Sequence, residues 1–282
     1  MLTDYRVSMV VEDNLELNNV ITEMLSEKYK VIAAYNGVQA IELLQKNEVN
    51  LVISDVMMPE MDGLTLCKMI KNDLTTSHIP VLILTAKNTV EDRVDCYNAG
   101  AEAYIAKPFE LLVLNARVKN LLSKHIQKTE SFKKNNEINI SAMEYNSIDE
   151  MFLKQAVSKV EERLADENFD FDQFAIDMAT SKSTLHRKLK SLTGLSPGEF
   201  IRNIRMKHAV QMLANNIGNI SEIAYAVGFN DPKYFSRCFK LEFGATPKEY
   251  FENLKYRDWE TDRKSTRLNS SHRSLSRMPS SA

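Results

Sequence analysis

Five polar residues close four apolar runs in the first 125 residues, and their types suggest one chemistry. Glu12 and Asp13 follow the run Val7–Val11, Asp55 follows Leu51–Ser54, Thr85 follows Val81–Leu84, and Lys107 follows Ala103–Ala106. Three carboxylates drawn to one place repel one another unless a cation sits among them, and a hard ion with oxygen ligands, Mg²⁺, is the natural occupant. A lysine beside such a cluster can neutralise an incoming phosphoryl group, and a threonine hydroxyl can bond one of its oxygens. A carboxylate held beside Mg²⁺ is a competent nucleophile towards phosphorus, so the set predicts an aspartyl-phosphate on Asp55. Each residue alone has a plainer role as a loop or helix-capping group; all five together at the ends of four runs are harder to explain that way.

The elements that must position these groups are legible in the same segment. The β-branched runs, with Val31–Ala34 as the fifth, alternate with amphipathic stretches such as Leu15–Tyr29 and Val38–Lys46. Strand–helix alternation of this kind predicts a doubly wound, five-stranded parallel sheet, which binds ligands at the carboxyl ends of its strands.

In this setting the motifs V-E-D-N at 11–14, D-V-M-M-P-E-M-D-G at 55–63, L-T-A at 84–86 and A-Y-I-A-K-P-F at 103–109 resemble the receiver domain of two-component response regulators. The resemblance implies a flavodoxin-like fold over residues 1–125, with Asp55 as phosphoacceptor. It implies direct Mg²⁺ ligation by Asp13, Asp55 and the backbone carbonyl of Met57, with Glu12 acting through water. Thr85 and Tyr104 correspond to the family's switch pair, and a cis Lys107–Pro108 bond is expected. An aspartate-based phosphatase would want a second Asp two residues after Asp55, where Met57 stands. A flavin protein of similar fold would need a phosphate loop where Glu12 and Asp13 would repel the phosphate.

The second half carries an internal repeat. Residues 182–200 align with 232–250 at an offset of 50: Arg187 with Arg237, Lys190 with Lys240, Gly194 with Gly244, Pro197 with Pro247 and Glu199 with Glu249. Each copy pairs a short apolar helix, a turn and a second helix, giving an all-α region. On the second helix of the first copy Leu185, Leu189 and Leu192 form the core side, opposite Ser183, His186, Arg187 and Lys190. In the second copy Phe235, Cys238 and Phe239 form the core side, while Lys233, Ser236, Arg237 and Lys240 project. A helix with one apolar face and one of Ser, His, Arg and Lys suits the DNA major groove. The stretches 183–206 and 223–250 resemble the AraC/XylS family of DNA-binding domains. That family implies two helix-turn-helix units joined by a long helix, here 197–213, that enter successive major grooves. Phe251 departs from the family where an Arg often follows the terminal Tyr, which removes one phosphate contact.

Charge follows the same division. Residues 1–125 carry 12 Lys and Arg against 17 Asp and Glu, a net of −5, whereas residues 180–257 carry 13 against 6, a net of +7. The basic second half suits a polyanionic partner. No apolar run is long enough to span a membrane, no secretion signal is visible, and three scattered cysteines form no pair motif, which together predict a cytoplasmic protein.

The organisation expected is a receiver at 1–125, a polar linker at 126–146, an AraC-type domain at 147–257, and a disordered tail at 258–282 that resembles translated cloning sequence. The predicted function is phosphorylation-dependent transcription regulation rather than enzymatic turnover. The partners implied are DNA, RNA polymerase, a sensor histidine kinase and a second copy of the chain upon phosphorylation. A free-standing regulator and the C-terminal part of a hybrid kinase of the kind found in Bacteroidetes both fit these residues.

Overall fold

Five short runs of Val, Ile, Leu and Ala form strands because both faces of each are buried, and near-continuous apolar runs are what a covered parallel sheet requires. In the computed structural model these are β1 (Val7–Val11), β2 (Lys30–Ala34), β3 (Leu51–Asp55), β4 (Val81–Thr85) and β5 (Ala103–Ala106), all parallel, in the order β2-β1-β3-β4-β5. The structure describes residues 6–86, 89–135, 140–143 and 145–252. The 258–282 tail therefore lies outside the described residues.

Helices α1 (Leu15–Ser26), α2 (Gly37–Lys46), α3 (Gly63–Asn72), α4 (Val90–Asn98) and α5 (Leu111–Lys134) connect and follow the strands. Side chains alternate across the sheet. Met9, Val11, Val52, Val81 and Ile83 pack with Ala40, Leu44, Leu66, Ile70 and Cys96 of α2, α3 and α4. Val10, Leu51, Ile53, Leu82 and Leu84 pack with Ile21, Leu25, Leu114 and Val118 of α1 and α5. Truncating one fully buried strand residue such as Ile53 to Ala removes contacts on the order of 2–5 kcal/mol.

Two strands run one residue further than their apolar runs suggest. Asp55 pairs with Leu84 and Thr85 with Ala106, so these two site residues are the last members of the ladder rather than loop residues. Helix α1 ends at Ser26 rather than Tyr29, because the amides of Lys28 and Tyr29 fold back to the carbonyl of Leu25. Helix α5 runs to Lys134, well into the polar segment expected as a linker. Phe132, 1% exposed, supplies the reason: it stacks on Phe200 with ring centroids 5.7 Å apart.

Beyond α5 the described residues form a 3-10 turn (Ser141–Met143) and the helices α6 (Ser147–Glu162), α7 (Phe171–Asp177), α8 (Lys182–Thr193), α9 (Pro197–Ala214), α10 (Ile220–Ala226) and α11 (Pro232–Phe243). The repeat seen in the sequence recurs as local geometry. Ser181 and Asp231 cap the N-termini of α8 and α11, and Gly194 and Gly244 close them in the left-handed region, at φ 69° and 74°, where a Cβ would be strained. After each glycine the same box forms: Glu199 accepts from the amide and hydroxyl of Ser196 at 2.7 and 2.8 Å, and Glu249 from those of Thr246 at 2.8 and 2.8 Å.

The chain divides into two units, Met1–Val157 with Ala175–Phe200, and Ser158–Phe174 with Ile201–Ala282. The second unit has its own core, in which Met206, Ala209, Val210 and Leu213 of α9 meet Ile223 and Ala224 of α10 and Phe235, Cys238 and Phe239 of α11. Arg205 crosses this unit, bonding the carbonyls of Asp166 and Gly228. Among the described residues no helix is long and apolar enough to cross a membrane.

Lys207 of α9 is buried, and that burial pushes its ammonium pKa down to about 8, with Glu242 pulling it back only in part. The unfolded chain binds this proton up to about 10.5, so the folded form is penalised at neutral pH and relieved as pH rises from 8 towards 10.5. Lys207→Met is therefore expected to be more stable than the parent at pH 7, with the gain shrinking through that window. Urea unfolding of both proteins at several pH values checks this, and a gap that stays constant with pH refutes it.

Candidate functional site

The order β2-β1-β3-β4-β5 reverses direction between β1 and β3, and the crevice of such a sheet opens where the order reverses. Glu12 and Asp13 leave β1 and Asp55 ends β3 at that point. One oxygen from each of these three carboxylates lies within 4.8 Å of the others, a group able to hold a metal ion. Lys107, just past β5, places its Nζ 2.7 Å from Glu12 and 3.0 Å from Asp55. Three negative charges against one positive leave a net of about −2 in a mostly buried, all-oxygen donor set. This is the complement of a hard divalent cation, so the residues present fit Mg²⁺.

The electrostatics follow from burial. Glu12 is 1% exposed, and desolvation raises its carboxyl pKa; its bond to Lys107 opposes the rise and the charge of Asp55 adds to it. Burial also disfavours the Lys107 ammonium, but hydrogen bonds and charge from Glu12 and Asp55 outweigh this and hold its pKa above the ordinary value. Asp55 accepts the amide of Val56 at 2.8 Å through Oδ1, while its Oδ2 faces Lys107.

Backbone features hold the pocket in place. Asn18, buried on α1, donates its amide hydrogens to the carbonyls of Glu12 and Ala34, both at 3.0 Å, tying together the ends of β1 and β2. The loop after Asp55 closes through a 2.9 Å bond from the Gly63 amide to the Val56 carbonyl. A Cβ at Gly63 would stand 1.9 Å from the Asp55 carbonyl oxygen, so glycine is required there by contact. The Lys107–Pro108 bond is cis, and the Lys107 amide donates to the Thr85 carbonyl at 2.7 Å.

Glu12, Asp13, Asp55 and Lys107 thus meet, with Thr85 buried at the adjacent strand end. The Met57 side chain is exposed in the loop beyond Asp55. Tyr104 lies half-buried on β5 against α4. Its ring meets Tyr97 edge-on at 5.9 Å, and its hydroxyl accepts from Arg93 at 3.5 Å.

The second candidate site is the pair of basic helix faces. On α11, Lys233, Arg237 and Lys240 are exposed, Arg237 lies 5.7 Å from the Tyr234 ring centre, and the Ser236 hydroxyl donates to the Pro232 carbonyl at 2.8 Å. On α8, Ser183, His186 and Lys190 are exposed and Arg187 is half-buried. The sequence reading passed over Lys188. It is 1% exposed, ion-paired with Asp149 of α6, and its Nζ donates to the Ser77 hydroxyl at 2.6 Å. A signal was available, because at an offset of 50 Lys188 matches Cys238, a core position. Asn18 was likewise missed, as an isolated Asn in a helical pattern carries no distinctive spacing.

Fold and pocket define an α/β domain of the receiver class, followed by a duplicated helix-turn-helix module. Comparison with known proteins agrees: a response regulator receiver domain matches residues 9–119 and a helix-turn-helix domain matches residues 174–253. The chain carries a response regulator receiver domain and a helix-turn-helix domain of AraC type. It is 42% identical over 242 residues to histidine kinase P4 of Formosa agariphila, covering 86% of this chain and 18% of that protein. It is 38% identical over 117 residues to hybrid signal transduction histidine kinase D of Dictyostelium discoideum, covering 42% of this chain and 8% of that protein. Among solved structures, the receiver domain of a signal transduction histidine kinase from Syntrophus aciditrophicus is 36% identical, covering 42% of this chain and 90% of that one, with a TM-score of 0.40.

Proposed function

We propose that the chain accepts a phosphoryl group on Asp55 and, in response, binds DNA sequence-specifically through α8 and α11. The observation that carries the first half is the meeting of Glu12, Asp13, Asp55 and Lys107 at the reversal point of the sheet. An Asp55 carboxylate oxygen forms the new bond to phosphorus as the P–N bond to a donor histidine breaks, and the imidazole leaves with the electron pair. Lys107, already bonded to Asp55, is placed to neutralise the arriving phosphoryl oxygens, and the Thr85 hydroxyl to bond one of them. Asp13, Asp55 and the Met57 carbonyl would hold Mg²⁺ directly and Glu12 through water; when bound, the ion offsets charge on the phosphoryl oxygens. The donor is a sensor histidine kinase, separate or within a longer parent polypeptide, and the likeness to histidine kinase P4 supports the second arrangement.

The outcome of phosphorylation is dimerisation through the face built from β4, α4, β5 and α5. Thr85 moves to the phosphoryl group and Tyr104 turns inward to fill the space it leaves. A phosphoryl group shifts this equilibrium because it bonds Thr85 in one state only. On this reading the dimer acts in the cytoplasm, binds directly repeated sites and engages RNA polymerase.

Label from a small phosphodonor is expected on the parent chain, dependent on Mg²⁺ and released by hydroxylamine, and to be absent from Asp55→Asn. Equal labelling of the variant would sink the assignment. In sedimentation, the parent's mass should double with phosphodonor and Mg²⁺, and a mass indifferent to them removes the dimer from the proposal.

For DNA, Arg187 and Arg237 are assigned to base edges, since the guanidinium fork matches guanine, and Lys190 and Lys240 to phosphates. Arg187→Ala and Arg237→Ala should each cost about 1–3 kcal/mol and relax base preference in one segment only, the two segments lying about 10 base pairs apart. Lys240→Ala should weaken binding to every sequence and reduce the salt dependence by about one charge. Binding-site selection separates these results; arginine variants that keep the parent's preference at every position disprove the base-reading role.

A further inference from the structure

The domain that holds the acidic pocket has a second concavity, at the opposite, amino ends of its strands. It measures about 530 Å³ and lies between the turn before β4, the start of β5 and the second half of α5. His78 and Glu102 line it from the strand side, Lys124, His125 and Lys128 from α5, and Met143 from the 3-10 turn. A hollow of about 310 Å³ shares Lys124 with it and extends along α5 to Arg117. Arg117, Lys124 and Lys128 recur at helical spacing, so one face of α5 presents three cations.

The balance of charge in this cavity is positive. Glu102 is the one carboxylate among the lining residues, and both its oxygens are engaged. Its Oε1 accepts from Lys71 at 2.6 Å and its Oε2 from the Val81 amide at 2.7 Å. Lys124 and Lys128 thus add two positive charges to a wall whose negative charge is already matched. The Nδ1 of His78 is buried and has no hydrogen-bond partner among the described residues, a costly state for a polar atom. Burial holds the pKa of His78 and His125 below the ordinary value. Lys188 and Arg187 of α8, Lys71 of α3 and His125 itself add to the fall at His78. At His125, Lys128 and Arg6 add to it, while Asp149 of α6 and a bond to the Ser191 backbone oppose it.

We propose that this cavity binds a small phosphomonoester, with its phosphate held by Lys124 and Lys128 and bonded to His78. It is an input to the chain separate from phosphorylation of Asp55. A phosphomonoester carries close to two negative charges at neutral pH, which matches the two lysines, whereas a carboxylate brings one. The volume exceeds what a bare phosphate fills and falls in the range of small-molecule sites, leaving room for a body the size of a sugar or nucleoside. An anion here also favours the imidazolium forms of His78 and His125, so binding takes up protons.

The test is calorimetric titration of the full chain, free of Mg²⁺, with ribose phosphate and adenosine monophosphate as probes. Both are expected to bind at millimolar concentration, and adenosine, which lacks the phosphate, is not. Lys124→Gln, at an exposed position, and Lys128→Gln should each weaken binding on the order of tenfold. Arg237→Ala and Lys240→Ala, on α11, should leave it unchanged. Labelling of Asp55 once Mg²⁺ is restored checks that each variant remains folded. Inorganic sulfate, whose charge is fixed near neutral pH, should bind more tightly as pH falls from about 8 to about 6, and His78→Gln should flatten that slope. If neither ester binds the parent, or the two lysine variants bind both esters as the parent does, the site is overturned. Affinity lost in Arg237→Ala but kept in Lys124→Gln assigns the phosphate to α11 and overturns it equally.

Discussion

Three carboxylates facing one ammonium at the end of a parallel sheet are the constraint on which the first half of this molecule is built. Left to themselves Glu12, Asp13 and Asp55 repel, and a buried carboxylate is costly unless paired. Lys107 offsets part of that repulsion by bonding both Glu12 and Asp55. To deliver it there, β5 must lie beside β4, β4 beside β3, and β3 beside β1, which is the strand order observed. Asn18 then joins the ends of β1 and β2, and Gly63 lets the loop after Asp55 pass against its own strand. The local features of the sheet's upper edge thus serve one electrostatic arrangement.

The helical half rests on a different principle, that of one small unit used twice. Each copy starts on a side-chain cap, ends on a left-handed glycine and continues through a Ser/Thr–Glu box. The copies diverge at matched core positions, where Cys238 is a small apolar filler and Lys188 is a buried cation paired to Asp149. A buried ion pair contributes little net stability, but removing one partner costs about 3–5 kcal/mol because the other charge is stranded. Lys188 therefore makes the first copy dependent on α6 in a way that the second copy is not.

Phe132 and Lys207 show how burial overrides local preference. The segment after residue 125 is polar enough to suggest a linker, yet α5 continues through it because one aromatic side chain finds Phe200 to stack on. Lys207 sits on a helix that also buries Ile204, Met206 and Val210, and its own burial depresses its pKa.

What the sequence by itself determined was periodic or tied to strand ends. Apolar runs marked the five strands, the residues that close them marked the acidic pocket with its lysine, and an offset of 50 marked the duplicated helices. Such features are legible because each is dictated by neighbours a few residues away or by one rule of parallel sheets. Only the tertiary structure decided that Asp55 and Thr85 are ladder residues, that Asn18 ties two strand ends, and that Lys188 is buried against Asp149 and Ser77. Those outcomes depend on partners 6 to 111 residues distant in the chain. A lysine's chemistry is the same in either setting; whether it faces water, an ion-pair partner or another domain is set by packing, which no local spacing records.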